Sequence, residues 1–388
     1  MDSLHSSMQT QPPAAQDDSK SPLVVTIEQV LQGHKDEIWN ICWSNNGKYL
    51  ASASKDRTVI IWKKEEADIP TSGWIAQHKL RHSFPAVCLA WSPDDSVLVT
   101  SADSMIKFWD TTTGSCTNIV EKSSDTITKL EWLPDGSGFI SAGLDGKIIF
   151  WNANGTMKEC WDTHLKVFKF TISPDLTRLV AVGEQSFVKK DNLGTSKLPE
   201  DVTKKRRLYF YQMITYELPT GKILSTIFFE DGLTSIRITK DSRFALINCA
   251  PCGLELWDIC ESRKVEAYAG PKQELTVIGS CFGGEEEKYI ISGSEDGQVY
   301  IYDRDDGVLL NILSGHGKGC VSTAAVNPSD HELFATCSDD RTVRLWRMTD
   351  SFDIIRPSDI HDDDIHDDNS PVDPAEDSWV SVDALDCA

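Results

Sequence analysis

The sequence is short of positive charge and of long apolar runs. Its 388 residues carry 38 Lys and Arg against 60 Asp and Glu, a formal net charge of −22. That surplus of carboxylates is repelled by phosphate backbones and anionic lipid, so no nucleic-acid partner and no membrane are expected. No run of eighteen apolar residues occurs, which argues against a spanning helix. Residues 1 to 21, MDSLHSSMQTQPPAAQDDSKS, lack a basic stretch followed by an apolar one. They read as a disordered tail and not as a signal peptide, and the expected location is the cytoplasm, with the nucleus as a second compartment. The 11 cysteines are odd in number and scattered through strand-like segments, a pattern of reduced, buried thiols and not of a disulfide framework.

What the chain has is a repeat. Gly33 to Trp62 reads GHKDEIWNICWSNNGKYLASASKDRTVIIW, and Gly315 to Trp346 reads GHGKGCVSTAAVNPSDHELFATCSDDRTVRLW. In the first copy Ile38 to Trp43, Tyr49 to Ser54 and Thr58 to Trp62 alternate apolar and polar residues between turn signals, the pattern of an antiparallel meander. Such a meander has two apolar faces and needs copies of itself on either side. Aligning the closing aromatics Trp62, Trp109, Trp151, Tyr211, Trp257, Tyr302 and Trp346 gives seven units, with Asp six residues earlier at Asp56, Asp103, Asp145, Asp296 and Asp340.

Four polar types recur at offsets that let them satisfy one another when buried. In the first unit they are His34, Ser52, Asp56 and Trp62, and in the last His316, Thr336, Asp340 and Trp346. An imidazole bridging the Asp and the hydroxyl, with the hydroxyl reaching the indole N–H, pins each unit at about 0.5–1.5 kcal/mol per net bond. Because the set recurs, it reads as structural and not as a catalytic triad. The second unit offers His82, Thr100, Asp103 and Trp109, with the middle pair one residue closer together; the third keeps Ser141, Asp145 and Trp151 with Ser123 at the His position; the sixth keeps Ser292 and Asp296 but closes on Tyr302. Units four and five are weakly patterned, and either the lowest stability or a shape traded for binding is expected there.

These residues resemble those of WD-repeat (WD40) proteins, with the Trp-Asp pair literal at Trp109-Asp110 and Trp257-Asp258. The resemblance implies an all-β, seven-bladed β-propeller over residues 22 to 349. Leu23 to Leu31 precedes the first Gly-His as an orphan strand and is expected to complete the last blade. Blade four carries a basic insertion over residues 184 to 207, with Lys189, Lys190, Lys204, Lys205, Arg206 and Arg207. It reads as a solvated loop, a nuclear-localisation signal or a dock for an acidic segment. Residues 350 to 388 hold thirteen Asp and Glu against one Arg and read as a disordered acidic tail. His361 and His366 in its tandem DIHDD repeat read as solvated, and Cys249 and Cys252 of the CAPC sequence as turn residues, so no metal and no cofactor are expected.

Function on such a scaffold lies in its surfaces. The Gly-His loops and Asp turns emerge at one end, where the candidate partner-binding residues are Glu37, Trp39, Lys55, Thr126, Thr128, Leu144, Glu295, Ser322 and Asp339, joined by the basic insertion. Trp39 is the expected anchor, since Trp is enriched in interface hot spots. More narrowly, SCFGGEEEKYIISGSEDGQVYIY from Ser280 to Tyr302, the repeat after it and the opening repeat are similar to the WD-repeat subunits of GID/CTLH ubiquitin ligases. That resemblance implies a non-catalytic scaffold or substrate adaptor in proteasomal degradation, with RING and CTLH subunits as partner proteins. Members of that group carry LisH and CTLH helices ahead of the propeller, and residues 1 to 21 are expected to hold neither. An adaptor of a cullin ligase would show Trp-Asp-x-Arg at a blade end, whereas these ends read WDTT, WNAN, WDIC and WRMT. An enzyme would show an unexplained carboxylate pair, and none stands out. The stronger alternative is a reader of basic peptides or histone tails, drawn to Glu37, Glu295 and Asp339.

Overall fold

A computed structural model describes residues 23–65, 73–185, 211–274 and 276–350. The disordered N-terminal tail, the cations of the insertion and the acidic C-terminal tail proposed from the sequence lie outside those residues. The described chain forms seven antiparallel sheets of four strands each, with one 3-10 turn at Glu285–Glu287. This is the seven-bladed propeller that the resemblance to WD-repeat proteins implied.

The first repeat shows why its residues make a blade. Ile38–Trp43, Tyr49–Ser54 and Thr58–Lys64 pair in sequence order, and Trp74–Arg81 adds the outer strand. The second and third strands are almost wholly buried, while outer strands such as Cys116–Glu121 are mostly exposed. Apolar contact runs between blades more than within them: Leu31, Leu333, Val343 and Leu345 of the last blade share a core with Ile38, Ile41, Leu50 and Ile60 of the first. Each such side chain contributes about 1.5–3 kcal/mol on burial, so neither blade is stable without its neighbour.

Leu23–Gln32 pairs antiparallel with Thr342–Asp350, and the last sheet is completed by the first strand of the chain. Leu23 lies opposite Asp350 and Gln32 opposite Thr342. The innermost strands of blades one, three, four, five and seven each carry a bulge near their start, as between Ile38 and Asn40 or Val167 and Lys169. In blades one to six the ladder from the third strand to the outer strand carries another shift, immediately before the closing aromatic.

That second bulge corrects one assignment. Blade four closes on Tyr216, not Tyr211: its third strand is Tyr211–Glu217, and the bulge falls between Thr215 and Tyr216, as it falls between Ile61 and Trp62 in blade one. Tyr216 lies opposite Leu179, as Trp62 lies opposite Leu50. The basic insertion shifts the aromatic spacing, and Tyr211 is only one of three consecutive aromatics, Tyr209, Phe210 and Tyr211, that follow it in the sequence.

Candidate functional site

The polar set closes fully in two blades. In the last, Trp346 Nε1 donates to Thr336 Oγ1 at 2.8 Å, His316 Nε2 lies 2.7 Å from that hydroxyl, and His316 Nδ1 lies 3.0 Å from Asp340 Oδ2. An indole N–H only donates, so the hydroxyl passes its own proton to Nε2, and Nδ1–H donates to the carboxylate. The circuit thus specifies a neutral imidazole. Burial holds the His316 pKa below its ordinary value despite the pull of Asp340. Burial alone would raise Asp340, but hydrogen bonds from His316, the Gly317 N–H and Thr342 hold its carboxyl far below the usual range.

Blade one repeats the circuit from Trp62 to Ser52 (2.9 Å), Ser52 to His34 (2.8 Å) and His34 to Asp56 (3.2 Å). Gly33 precedes the His because a Cβ there would stand 3.0 Å from the Trp62 ring.

Elsewhere the set is broken. In blade two Trp109 reaches Thr100 at 2.8 Å and Thr100 reaches His82 at 3.1 Å, but Asp103 does not reach His82. The shorter turn puts Asp103 at φ 58°, and its carboxylate accepts instead from the Thr126 hydroxyl. His82 Nδ1 is left buried without a partner, and burial, helped by Lys107, pushes the imidazole pKa down to about 4. In blade three Ser141 accepts from Trp151 at 2.8 Å while Ser123 donates to Asp145 at 3.0 Å, two halves without the imidazole between them. In blade six Ser292 donates to the Gly293 carbonyl, Asp296 accepts from Tyr300 OH and Tyr302 OH turns to the Ala269 carbonyl. The circuits expected at Asp103 and Asp296 are therefore not formed.

At the mouth, Glu37 is the organiser. Its two oxygens accept from Trp39 Nε1 at 3.1 Å and Lys55 Nζ at 2.9 Å, and that hydrogen bond raises the Lys55 pKa. Asp339 accepts from the Cys320 N–H at 2.9 Å; burial raises its carboxyl pKa, and Glu37 adds to the rise. Trp39 is half-buried, with its carbonyl held by Thr323 of blade seven at 3.1 Å. The seam between blades seven and one thus brings Glu37, Trp39, Lys55 and Asp339 together.

The other proposed contacts are less available. Thr128 is used in a 2.6 Å bond to the Val167 carbonyl of the next blade, and Glu295 accepts the backbone N–H groups of Glu274 and Thr276. Ser322 is only 2% exposed, so it does not present itself to a partner. Thr126 and Leu144 are half-buried and joined through the Leu144 N–H and the Thr126 carbonyl. Lys189, Lys190, Lys204, Lys205, Arg206 and Arg207 lie outside the described residues. In the CAPC turn, Cys252 donates its thiol proton to Asp231 at 3.0 Å, and that bond, with burial, raises its pKa. The turn therefore disfavours the thiolate that redox or metal chemistry requires.

The profile of the family described as "WD domain, G-beta repeat" matches residues 25–63, 75–110, 114–152 and 307–347. These are the blades with recognisable sets, and blades four to six fall between the matches. The chain is 36% identical over 326 residues to a "WD repeat-containing protein 26 homolog" of Arabidopsis thaliana, a match covering 82% of this chain and 50% of the relative. It is 35% identical over 327 residues to "GID complex subunit 7" of Schizosaccharomyces pombe, covering 83% and 58% respectively. The chain thus spans about half of the first relative's length and under two thirds of the second's. With seven blades, a closing first strand and four matched repeats, this chain is a WD-repeat β-propeller similar over most of its length to those two proteins.

Proposed function

We propose that the chain is a non-catalytic scaffold or substrate adaptor of a GID/CTLH-type ubiquitin ligase, acting in the cytoplasm and nucleus in proteasome-dependent degradation. The observation that carries this reading is the 35% identity to GID complex subunit 7 over 83% of the chain. Its partners on this reading are RING and CTLH subunits and the substrates they modify. The matched region is the propeller, so the contacts belong to blade faces and rims. Capture of the tagged chain from its own cells at moderate salt, followed by mass spectrometry, tests the reading. RING and CTLH subunits are the expected companions, and their reproducible absence would overturn it.

The mouth residues favour Trp39 as the substrate-side anchor, with Glu37 and Asp339 giving preference to basic segments. Trp39→Ala is expected to weaken partner binding by more than about 2 kcal/mol with little change in melting temperature. Parallel calorimetry and thermal melts check this. A large loss of stability with unchanged affinity would place Trp39 in the core instead.

The same carboxylates support a second reading, a reader of basic peptides or histone tails outside any ligase. Its complex would weaken steeply with salt, and it would be isolated without ligase subunits.

A further inference from the structure

The innermost strands alternate residues buried between blades with residues turned to the central channel. Leu130, Phe170 and Ile236 are at most 3% exposed, and each is followed or preceded by a charged residue on the opposite face of its strand. Those residues are Lys129 and Glu131 on blade three, Lys169 on blade four and Arg237 on blade five. Register places them in two layers: Lys129 and Lys169 sit just past their strand bulges, opposite Ala142 and Val182, and Glu131 and Arg237 sit two positions further on, opposite Ile140 and Leu246. The corresponding positions elsewhere in the ring, such as Asn40, Cys42, Cys88, Ser235, Cys281 and Thr323, are uncharged.

The charges do not balance. Glu131 is committed to Lys129 at 3.2 Å and to the Ile172 N–H at 3.0 Å. Lys169 spends one of its three donors on the Thr128 carbonyl at 2.8 Å. Arg237, which carries five N–H donors, makes no hydrogen bond or ion pair to the described residues. Its charge is nonetheless felt at Cys281 of blade six, at Lys169 of blade four and at Cys42 of blade one, three blades round the ring. Arg237 follows the buried Ile236 on its strand, and that alternation turns it to the channel face. Burial lowers the Lys169 pKa; Cys88 opposes the fall, and the neighbouring Lys129 and Arg237 add to it. A protein with net charge −22 thus places Lys169 and Arg237 on the channel face with no carboxylate paired to either among the described residues.

We infer that the central channel binds one small phosphate-class oxyanion, held by Arg237 and Lys169 with Lys129 beside them. A tetrahedral oxyanion matches a guanidinium fork plus an ammonium, because it offers several acceptor oxygens and up to two negative charges to groups that lack both. The site is independent of which partners the blade faces engage.

The test is calorimetric titration of the full chain with inorganic phosphate at pH 7.5, beside thermal melts in phosphate and in chloride of equal ionic strength. One saturable site is expected, with a melting temperature that climbs with phosphate and not with chloride. Arg237→Gln is expected to weaken binding by about tenfold or more. Lys169→Met, which replaces a desolvated ammonium by an apolar chain of similar length, keeps the fold and is expected to do the same. A variant with Lys204, Lys205, Arg206 and Arg207 all changed to Ala is expected to bind as the wild type does. Absence of saturable heat, an equal rise in chloride, unchanged affinity in both channel variants, or loss of binding in the insertion variant would each overturn the site.

Discussion

Asp340→Ala lowers the stability of the folded chain by about 2–4 kcal/mol, whereas Asp296→Ala costs under about 1 kcal/mol. The two residues hold the same position in their repeats, so sequence alone would rank them together. Asp340 accepts from His316 Nδ1, the Gly317 N–H, the Thr342 N–H and the Thr342 hydroxyl. Its removal unpairs a buried imidazole N–H and two backbone donors, and ends the circuit that runs on to Trp346. Asp296 supports no such circuit: it accepts from Tyr300 OH and the Gln298 N–H, and its residue is exposed. Urea denaturation checks the pair through a shift in midpoint at constant slope. Equal losses at both positions would mean that the repeat pattern, and not the closed circuit, determines the cost.

Acidification unfolds the chain in two stages, and the first is assigned to His82. Its pKa falls from 6.5 to about 4 on folding, so as pH drops the unfolded chain takes the proton first. The folded state therefore loses stability steadily from about pH 6.5 down to about pH 4, and none further below that. The loss over the full window is about 3 kcal/mol for a shift of this size. The buried His316, also depressed, acts in the same direction. Asp56 and Asp340 act later: their carboxyls are depressed below the ordinary 3.8, so their contribution is intact above that value and is lost as pH falls beneath it. His82→Gln is expected to remove most of the slope between pH 6.5 and 4.5 while leaving the lower stage in place. Urea midpoints of both proteins across that range decide it, and an unchanged slope in the variant would reassign the first stage to another group.

The blades legible in the sequence were those whose chemistry is local. In blades one and seven Gly-His, hydroxyl, Asp and Trp all fall within about thirty residues, and each keeps a partner whose loss would be costly. Blade two shows the limit of that reasoning, because one deleted residue between Thr100 and Asp103 leaves every residue type in place yet turns the carboxylate away. Tyr216 was hidden because blade four has no Gly-His or Asp turn to locate it, and the insertion placed Tyr211 nearer the expected spacing. The mouth was half legible: Glu37, Trp39 and Lys55 lie close in sequence, whereas Asp339 joins them only because the ring closes blade seven onto blade one. The channel cations gave no signal. Lys129, Lys169 and Arg237 belong to different repeats, and each looks like any polar residue alternating with a buried one along a strand.

The first strand also sets a clock on synthesis. It leaves the ribosome about 310 residues ahead of its partners, residues 342 to 350. At roughly 5–20 residues per second the wait is about 15–60 s. Until then blade one lacks the neighbour that shares its core, and the nascent chain is an open arc with apolar surface at both ends. Translation that stops short of Thr342 leaves that arc with no way to close. Such a product is the form that chaperones and proteases would meet, and the strand it lacks, Thr342–Asp350, would have to be supplied by a full-length copy.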